Sequence, residues 1–140
     1  MMENSRDIDT LTPDARAWFS RFRAHAELAG LVYLRHWIVT SFYRDQEFQD
    51  WLYAQGRTRP GPKVTWTLHS RHTGRRAWDI AVRDPRTGKI DWNVVKADVD
   101  ADHLPDYEEL AAVGRKMGLT VGMDWETPDP CHFETPLTVG

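Results

Sequence analysis

Hydrophobic periodicity switches repeatedly along this chain, and that alternation limits its fold more than any other feature. "LTPDARAWFSRFRAHAELAG" (11–30) carries Trp18, Phe19, Phe22 and Ala26 at helical spacing, with Thr12 placed as N-cap, Pro13 at the first helical position and Gly30 as the stop. "LVYLRHWIVTSFY" (31–43) is apolar, β-branched and aromatic, which predicts a strand or a strand pair. "RDQEFQDWLYAQG" (44–56) returns to helical spacing through Phe48, Trp51 and Leu52. "AWDIAVRDPRTGKIDWNVV" (77–95) reads as two strands joined by a "DPRTG" turn. "LPDYEELAAVGRKMG" (104–118) is a helix with acids in its first turn and Arg115 and Lys116 in its last. "LTVGMDW" and "CHFETPL" close the pattern as short strands. Helices and strands interleave without a βαβ rhythm, so the predicted class is α+β, a small antiparallel sheet flanked by helices.

With 140 residues, 41% of them hydrophobic, the chain is expected to form one domain (1–140) that buries a core without disulfides and leaves no room for a separate wall-binding domain. The single cysteine, Cys131, excludes an internal disulfide and a cysteine zinc cluster, so a metal would be held by His and carboxylates. No run is long enough for a membrane helix, and "MMENSRDIDT" lacks the apolar stretch of a signal peptide. Stable membrane insertion is therefore not expected, and the chain is expected to fold in a cytoplasm. The net charge of −3 hides a segregation: residues 57–89 hold nine Lys/Arg against two acids, residues 90–140 eleven acids against three bases. A nucleic-acid binder is more often basic throughout, so the local basic lobe suits a smaller anionic ligand or a solvated loop.

The stretch most concentrated in chemistry is "HSRHTGRRAWDIAV" (69–82), which follows the Pro- and Gly-rich "RTRPGPKVTWTL". So long a loop in a small domain is usually functional or mobile. Of the six histidines, His25 and His36 lie in apolar elements and read as structural, and His103 opens a helix as part of a cap. His69, His72 and His132 sit in or beside polar loops. His72 precedes Asp79 by seven residues, opposite in strand parity, and a Thr-Gly turn between them would let the two converge. In "DPCHFE", Asp129 stands three residues before His132 between two prolines, close enough to serve as general base beside a metal-bound histidine. Two histidines, a carboxylate and a water form a known catalytic zinc set. Each pattern taken alone is weak.

The ordered combination "SxHxxxxAxD" and "DxxHFE" resembles the zinc peptidases that include D-Ala-D-Ala carboxypeptidases and phage L-alanyl-D-glutamate endopeptidases, which share the hedgehog/DD-peptidase fold. "SFYRDQEFQDWLYAQGRTRPGPKVTWTLHSRH" resembles that family's tyrosine-arginine strand end, glutamine helix and loop into the first zinc histidine, and "GLTVGMDW" its glycine-tryptophan segment. The match runs from about Leu11 to Phe133. It implies His72, Asp79 and His132 as ligands of one Zn²⁺ per chain, Asp129 as general base, and Arg44 as the arginine at the oxyanion or substrate. It further implies Ser70 in substrate binding and Gln49 as a support for Arg44. Arg71, Arg75 and Arg76 would pair with stem-peptide carboxylates, since guanidinium forks suit them. Departures from the family pattern are Arg75 where a glycine is usual, Gly74 one place early, Met123 in place of a second glycine, and one residue fewer between Trp125 and Asp129; Glu126 is the fallback base.

The activity implied is hydrolysis of the L-alanyl-D-glutamate bond of peptidoglycan by a monomeric phage endolysin, made in the host bacterial cytoplasm and released through a pore-forming partner. Alternatives are a D,D-carboxypeptidase and a metal-bearing binding module without catalysis. One segment falls outside this reading. "DVDADHLPDYEE" (98–109) has acids at positions one, three, five, nine and twelve of a calcium loop, but His103 replaces the glycine at six and Pro105 the apolar eighth residue. An acidic start to the helix is the preferred explanation, and Ca²⁺ the secondary one. Cys131 reads as a buried inert thiol, and most of the seven tryptophans as core.

Overall fold

The structure, a computed structural model, describes residues 2–65, 72 and 74–136. Its elements in chain order are β1 (Asn4–Ser5), α1 (Pro13–Leu28), β2 (Trp37–Ser41), β3 (Tyr43–Arg44), α2 (Gln46–Ala54), β4 (Ala77–Arg83), β5 (Ile90–Asp91), α3 (Asp106–Met117), β6 (Thr120–Val121) and β7 (His132–Glu134). The α+β class is as expected. The main sheet runs β2-β4-β7-β6 with every pair antiparallel, and β5 joins the same edge of β4 as β7, at its other end.

The helix boundaries follow from local chemistry. The Thr12 hydroxyl accepts from the Ala15 N–H ahead of Pro13, and the Asp45 carboxylate accepts from the Phe48 N–H at the head of α2. Gly118, at φ 91°, closes α3. Two features depart from the sequence reading. The strand run at 31–43 begins with a turn at residues 34–36, where His36 Nδ1 accepts from the Val32 N–H at 2.9 Å, so His36 braces a turn instead of lying in a strand. The N-terminus supplies an unexpected strand, β1, paired with β3 in the register Asn4↔Arg44.

Strand parity divides the sheet into a core face and a site face. Trp78 and Phe133 stack at 6.4 Å between ring centroids and meet Phe19 and Phe22 of α1, with Phe22 4.8 Å from Phe133. Tyr107, Leu110 and Ala111 of α3 complete this core, and all seven residues are buried. Burying each large side chain contributes roughly 1.5–3 kcal/mol, and each ring pair about 0.5–1.5 kcal/mol more. The neighbours of Trp78 and Phe133 in sequence, Asp79, His132 and Glu134, must therefore point the other way. Asp79 and His132 are directly opposed in the β4–β7 register.

Candidate active site

The β4–β7 pairing brings two of the expected ligands together, and a turn delivers the third. His132 Nδ1 lies 3.0 Å from Asp79 Oδ1, and His72 Nε2 lies 3.2 Å from the same oxygen. The two imidazoles meet edge to face at 5.0 Å between centroids. His72 is 1% exposed and His132 5%. His72 reaches β4 through a turn in which the Arg75 N–H donates to the His72 carbonyl. The left-handed residue of that turn is Arg75, at φ 61°, and not Gly74. Arg75 thus adopts the backbone conformation that favours glycine. Its guanidinium, stacked 4.1 Å over the Tyr43 ring and bonded to the Thr10 carbonyl, anchors it there.

The three side chains offer ligand atoms that all lie within 4.8 Å of one another. In a tetrahedral zinc site with bonds of about 2.0–2.1 Å, neighbouring ligand atoms stand roughly 3.3 Å apart. The 3.0 and 3.2 Å separations are within a few tenths of that edge, and two nitrogens plus one oxygen suit zinc, so the residues fit the ion. Without an ion, burial raises the pKa of Asp79, but the two histidines outweigh it and hold the carboxyl well below the usual range. Burial lowers the pKa of His132, yet Asp79 and Glu134 push it up to about 9. A metal would take the place of that proton.

Around the centre, Arg44 is engaged on both arms. Its Nη2 donates to Asp79 Oδ2 at 3.3 Å and its Nη1 to Gln49 Oε1 at 2.8 Å, while Gln49 Nε2 donates to the Thr65 hydroxyl at 3.1 Å. Gln49 is fully buried and supports Arg44, as expected. Arg44 therefore braces the outer oxygen of Asp79, and its charge acts on both Asp79 and Asp129. Asp129 is held by its N–H donating to the Gly122 carbonyl at 2.8 Å, and its own carbonyl accepts from the His132 N–H at 3.1 Å. Desolvation by the site walls and the charge of Asp79 raise its pKa against the pull of His132 and His72. Burial and the same two aspartates push the Cys131 thiol up to about 12, which keeps it an inert neutral group.

Three further residues complete the centre. Glu134 Oε1 sits 2.9 Å from His132 Nε2 and directs Nδ1 at Asp79; the "HFE" spacing, two residues along one strand face, was the available signal. Trp125 lies against the His132 ring at 5.0 Å, half-exposed at the rim. Gly122 seats the Asp129 segment. Other expectations change. Arg75 packs on Tyr43, and Arg76 pairs with Asp14 at 2.8 Å, so these guanidiniums serve the loop and α1 instead of lining a rim for substrate. His69, Ser70 and Arg71 lie outside the described residues.

This antiparallel α+β domain gathers two histidines and an aspartate at one strand pair into a candidate metal site. Residues 63–135, which carry all three candidate ligands, match the family model described as D-alanyl-D-alanine carboxypeptidase, and the chain belongs to that family. It is 31% identical over 100 residues to the peptidoglycan L-alanyl-D-glutamate endopeptidase CwlK of Bacillus subtilis (strain 168), a match that takes in 69% of this chain. The chain spans 59% of the length of that relative. The fold matches that of the Serratia marcescens L-Ala D-Glu endopeptidase ChiX with a TM-score of 0.61, covering 96% of this chain and 89% of the other at 21% identity. Among the described residues no helix is long and apolar enough to cross a membrane.

Proposed function

We propose that this chain is a zinc peptidase of the bacterial cell wall that hydrolyses the L-alanyl-D-glutamate bond of the peptidoglycan stem peptide. The carrying observation is the convergence of His72 and His132 on one oxygen of Asp79, with Asp129 electrostatically coupled to the same centre. The choice of bond rests on the activities for which CwlK and ChiX are named. Zinc held by His72, Asp79 and His132 would supply a Lewis acid and lower the pKa of water. Asp129 takes the proton of the attacking water and returns it to the leaving amine, and a raised pKa suits it to hold that proton in between. Arg44 donates to the outer oxygen of Asp79 and, in this reading by resemblance, adds positive potential where the carbonyl oxygen becomes negative. Ser70 and Arg71 take substrate-binding roles in this reading by resemblance alone. The phage-endolysin role, with release from the host cytoplasm through a partner's pore, is likewise carried by resemblance.

The deciding experiment is digestion of purified peptidoglycan by the zinc-loaded chain, with fragments identified by mass spectrometry. New D-glutamate N-termini are expected, and Asp129→Asn should cut kcat on the order of 10²–10⁴-fold while keeping zinc. Release of D-alanine alone would establish a D,D-carboxypeptidase instead, the activity in the family's description. Full activity and metal content in His72→Ala, Asp79→Ala and His132→Ala would remove the site altogether.

A further inference from the structure

The acids between β5 and α3 form a second centre. Asp98, Asp100, Asp102 and Asp106 each offer a carboxylate oxygen within 4.8 Å of the others. They hold the first, third, fifth and ninth places of a twelve-residue calcium loop, and Glu109, the twelfth, reaches Asp102. The cluster alone would pass for an acidic helix start, but the burial of Asp106 goes further. Asp106 is 0% exposed and its Oδ1 has no hydrogen-bond partner, although its other oxygen accepts from the Val99 N–H. That carboxylate is turned toward Asp100, whose own Oδ1 is buried without a partner, as is Glu109 Oε2. A buried carboxylate oxygen facing other carboxylates is strongly unfavourable unless a proton or a cation meets it. Burial and the neighbouring acids push Asp106 up to about 7 and Glu109 up to about 8.

The objection from sequence, a histidine in place of glycine at the sixth position, is answered by the backbone. His103 adopts φ 69°, the left-handed conformation for which a glycine is used there. The two oxygens of Asp98 hold the turn by accepting from the Asp102 and His103 N–H groups at 3.2 and 3.0 Å. His103 is thus a residue of the loop and not a helix cap, since Pro105 occupies the N-cap of α3.

We propose that residues 98–109 form a calcium site built from Asp98, Asp100, Asp102, Asp106 and Glu109, independent of the His72–Asp79–His132 centre. Calcium accepts roughly six to eight oxygens in flexible geometry, whereas magnesium demands an octahedron and keeps its waters. Four converging carboxylates, with Glu109 beside Asp102, favour calcium. The bound ion ties the β5–α3 connection to the first turns of α3, which packs on β6 beside β7.

The test uses the full zinc-loaded chain, dialysed against calcium-depleted buffer and titrated with CaCl₂ and separately with MgCl₂ at neutral pH. Calorimetry should give one calcium per chain, and the melting temperature should rise on the order of 5–10 °C at a hundredfold excess over Kd. Asp100→Asn and Asp102→Asn should each weaken calcium binding at least about tenfold without lowering the calcium-free melting temperature. Asp106→Asn is measured beside them; if its altered contact with Val99 prevents folding, the other two decide. No saturable binding up to about 10 mM calcium, an undiminished response in both variants, or equal affinity for magnesium would overturn the proposal. Peptidase activity enters none of these readouts, so a failure here is distinct from a failure of the zinc reading.

Discussion

Gly122→Ala tests how tightly the Asp129 segment is seated. An alanine Cβ at this position would stand 2.4 Å from the Asp129 carbonyl oxygen, 2.9 Å from His132 Cβ and 3.2 Å from Asp129 Cβ. An ordinary carbon–oxygen contact is about 3.3–3.6 Å, so the backbone at Asp129 must retreat by roughly 1 Å. It cannot do so freely, because the Gly122 carbonyl accepts from both the Asp129 and Trp125 N–H groups, at 2.8 and 3.2 Å. Overpacking of this kind costs about 1–3 kcal/mol of stability, and a displacement near 1 Å at a proton-transfer group costs on the order of 10²-fold in rate. The expected result is a lowered melting temperature together with a fall in kcat of about that size, larger than the loss of zinc affinity. The assay is release of amino groups from purified peptidoglycan at saturating zinc, with melting followed in parallel. A Gly122→Ala protein with unchanged kcat and unchanged melting temperature would refute the reasoning, because the 2.4 Å approach leaves no room for both.

Glu134→Ala removes the acceptor at His132 Nε2 and should weaken zinc binding by about 10–100-fold in chelator competition; Glu134→Gln, whose amide oxygen still accepts, should restore most of it. In calcium-free buffer, stability should fall as pH rises from the unfolded carboxylate values of 3.8 and 4.5 up to about 7 and about 8. Asp106 and Glu109 have folded-state pKa values raised above their unfolded ones, so their contribution is complete below the unfolded values and is lost as the folded groups ionise among Asp98, Asp100 and Asp102. Melting temperatures across this range should decline less in Glu109→Gln than in the parent chain, and equal slopes would contradict the assignment. The difference between the two proteins isolates the cluster from His132, which titrates in the same direction near 9.

Much of the architecture was readable because its determinants are local. Thr12 and Pro13 mark the start of α1, Gly118 the end of α3, and the "DPRTG" turn the β4–β5 hairpin. What escaped depended on partners distant in sequence. β1 exists because Asn4 and Ser5 find Arg44 and Tyr43, and nothing in "MENSRD" signals a strand by itself. In sequence Arg75 reads as a partner for acidic substrate, whereas in the fold the Tyr43 ring beneath it engages its guanidinium. Glu134 stands within the "DxxHFE" motif, but only the side-chain geometry shows which ring nitrogen of His132 it fixes.

By itself the sequence determined which residue types could hold a metal. One cysteine left His and carboxylates, and the resemblance carried by the ordered "SxHxxxxAxD" and "DxxHFE" motifs implied His72, Asp79 and His132 as ligands and Asp129 as base. The tertiary structure decided which atoms meet. The β4–β7 register aims Asp79 and His132 at each other, a left-handed Arg75 turns His72 back onto the same oxygen, and Arg44 closes on Asp79 from the end of β3. It also gathered an acidic run that reads as a helix start into a converging set of four carboxylates, with Asp106 buried at its root and Glu109 reaching Asp102. The reason is the same in both places: burial and through-space proximity set the charge state of a carboxylate, and neither can be read from its neighbours along the chain.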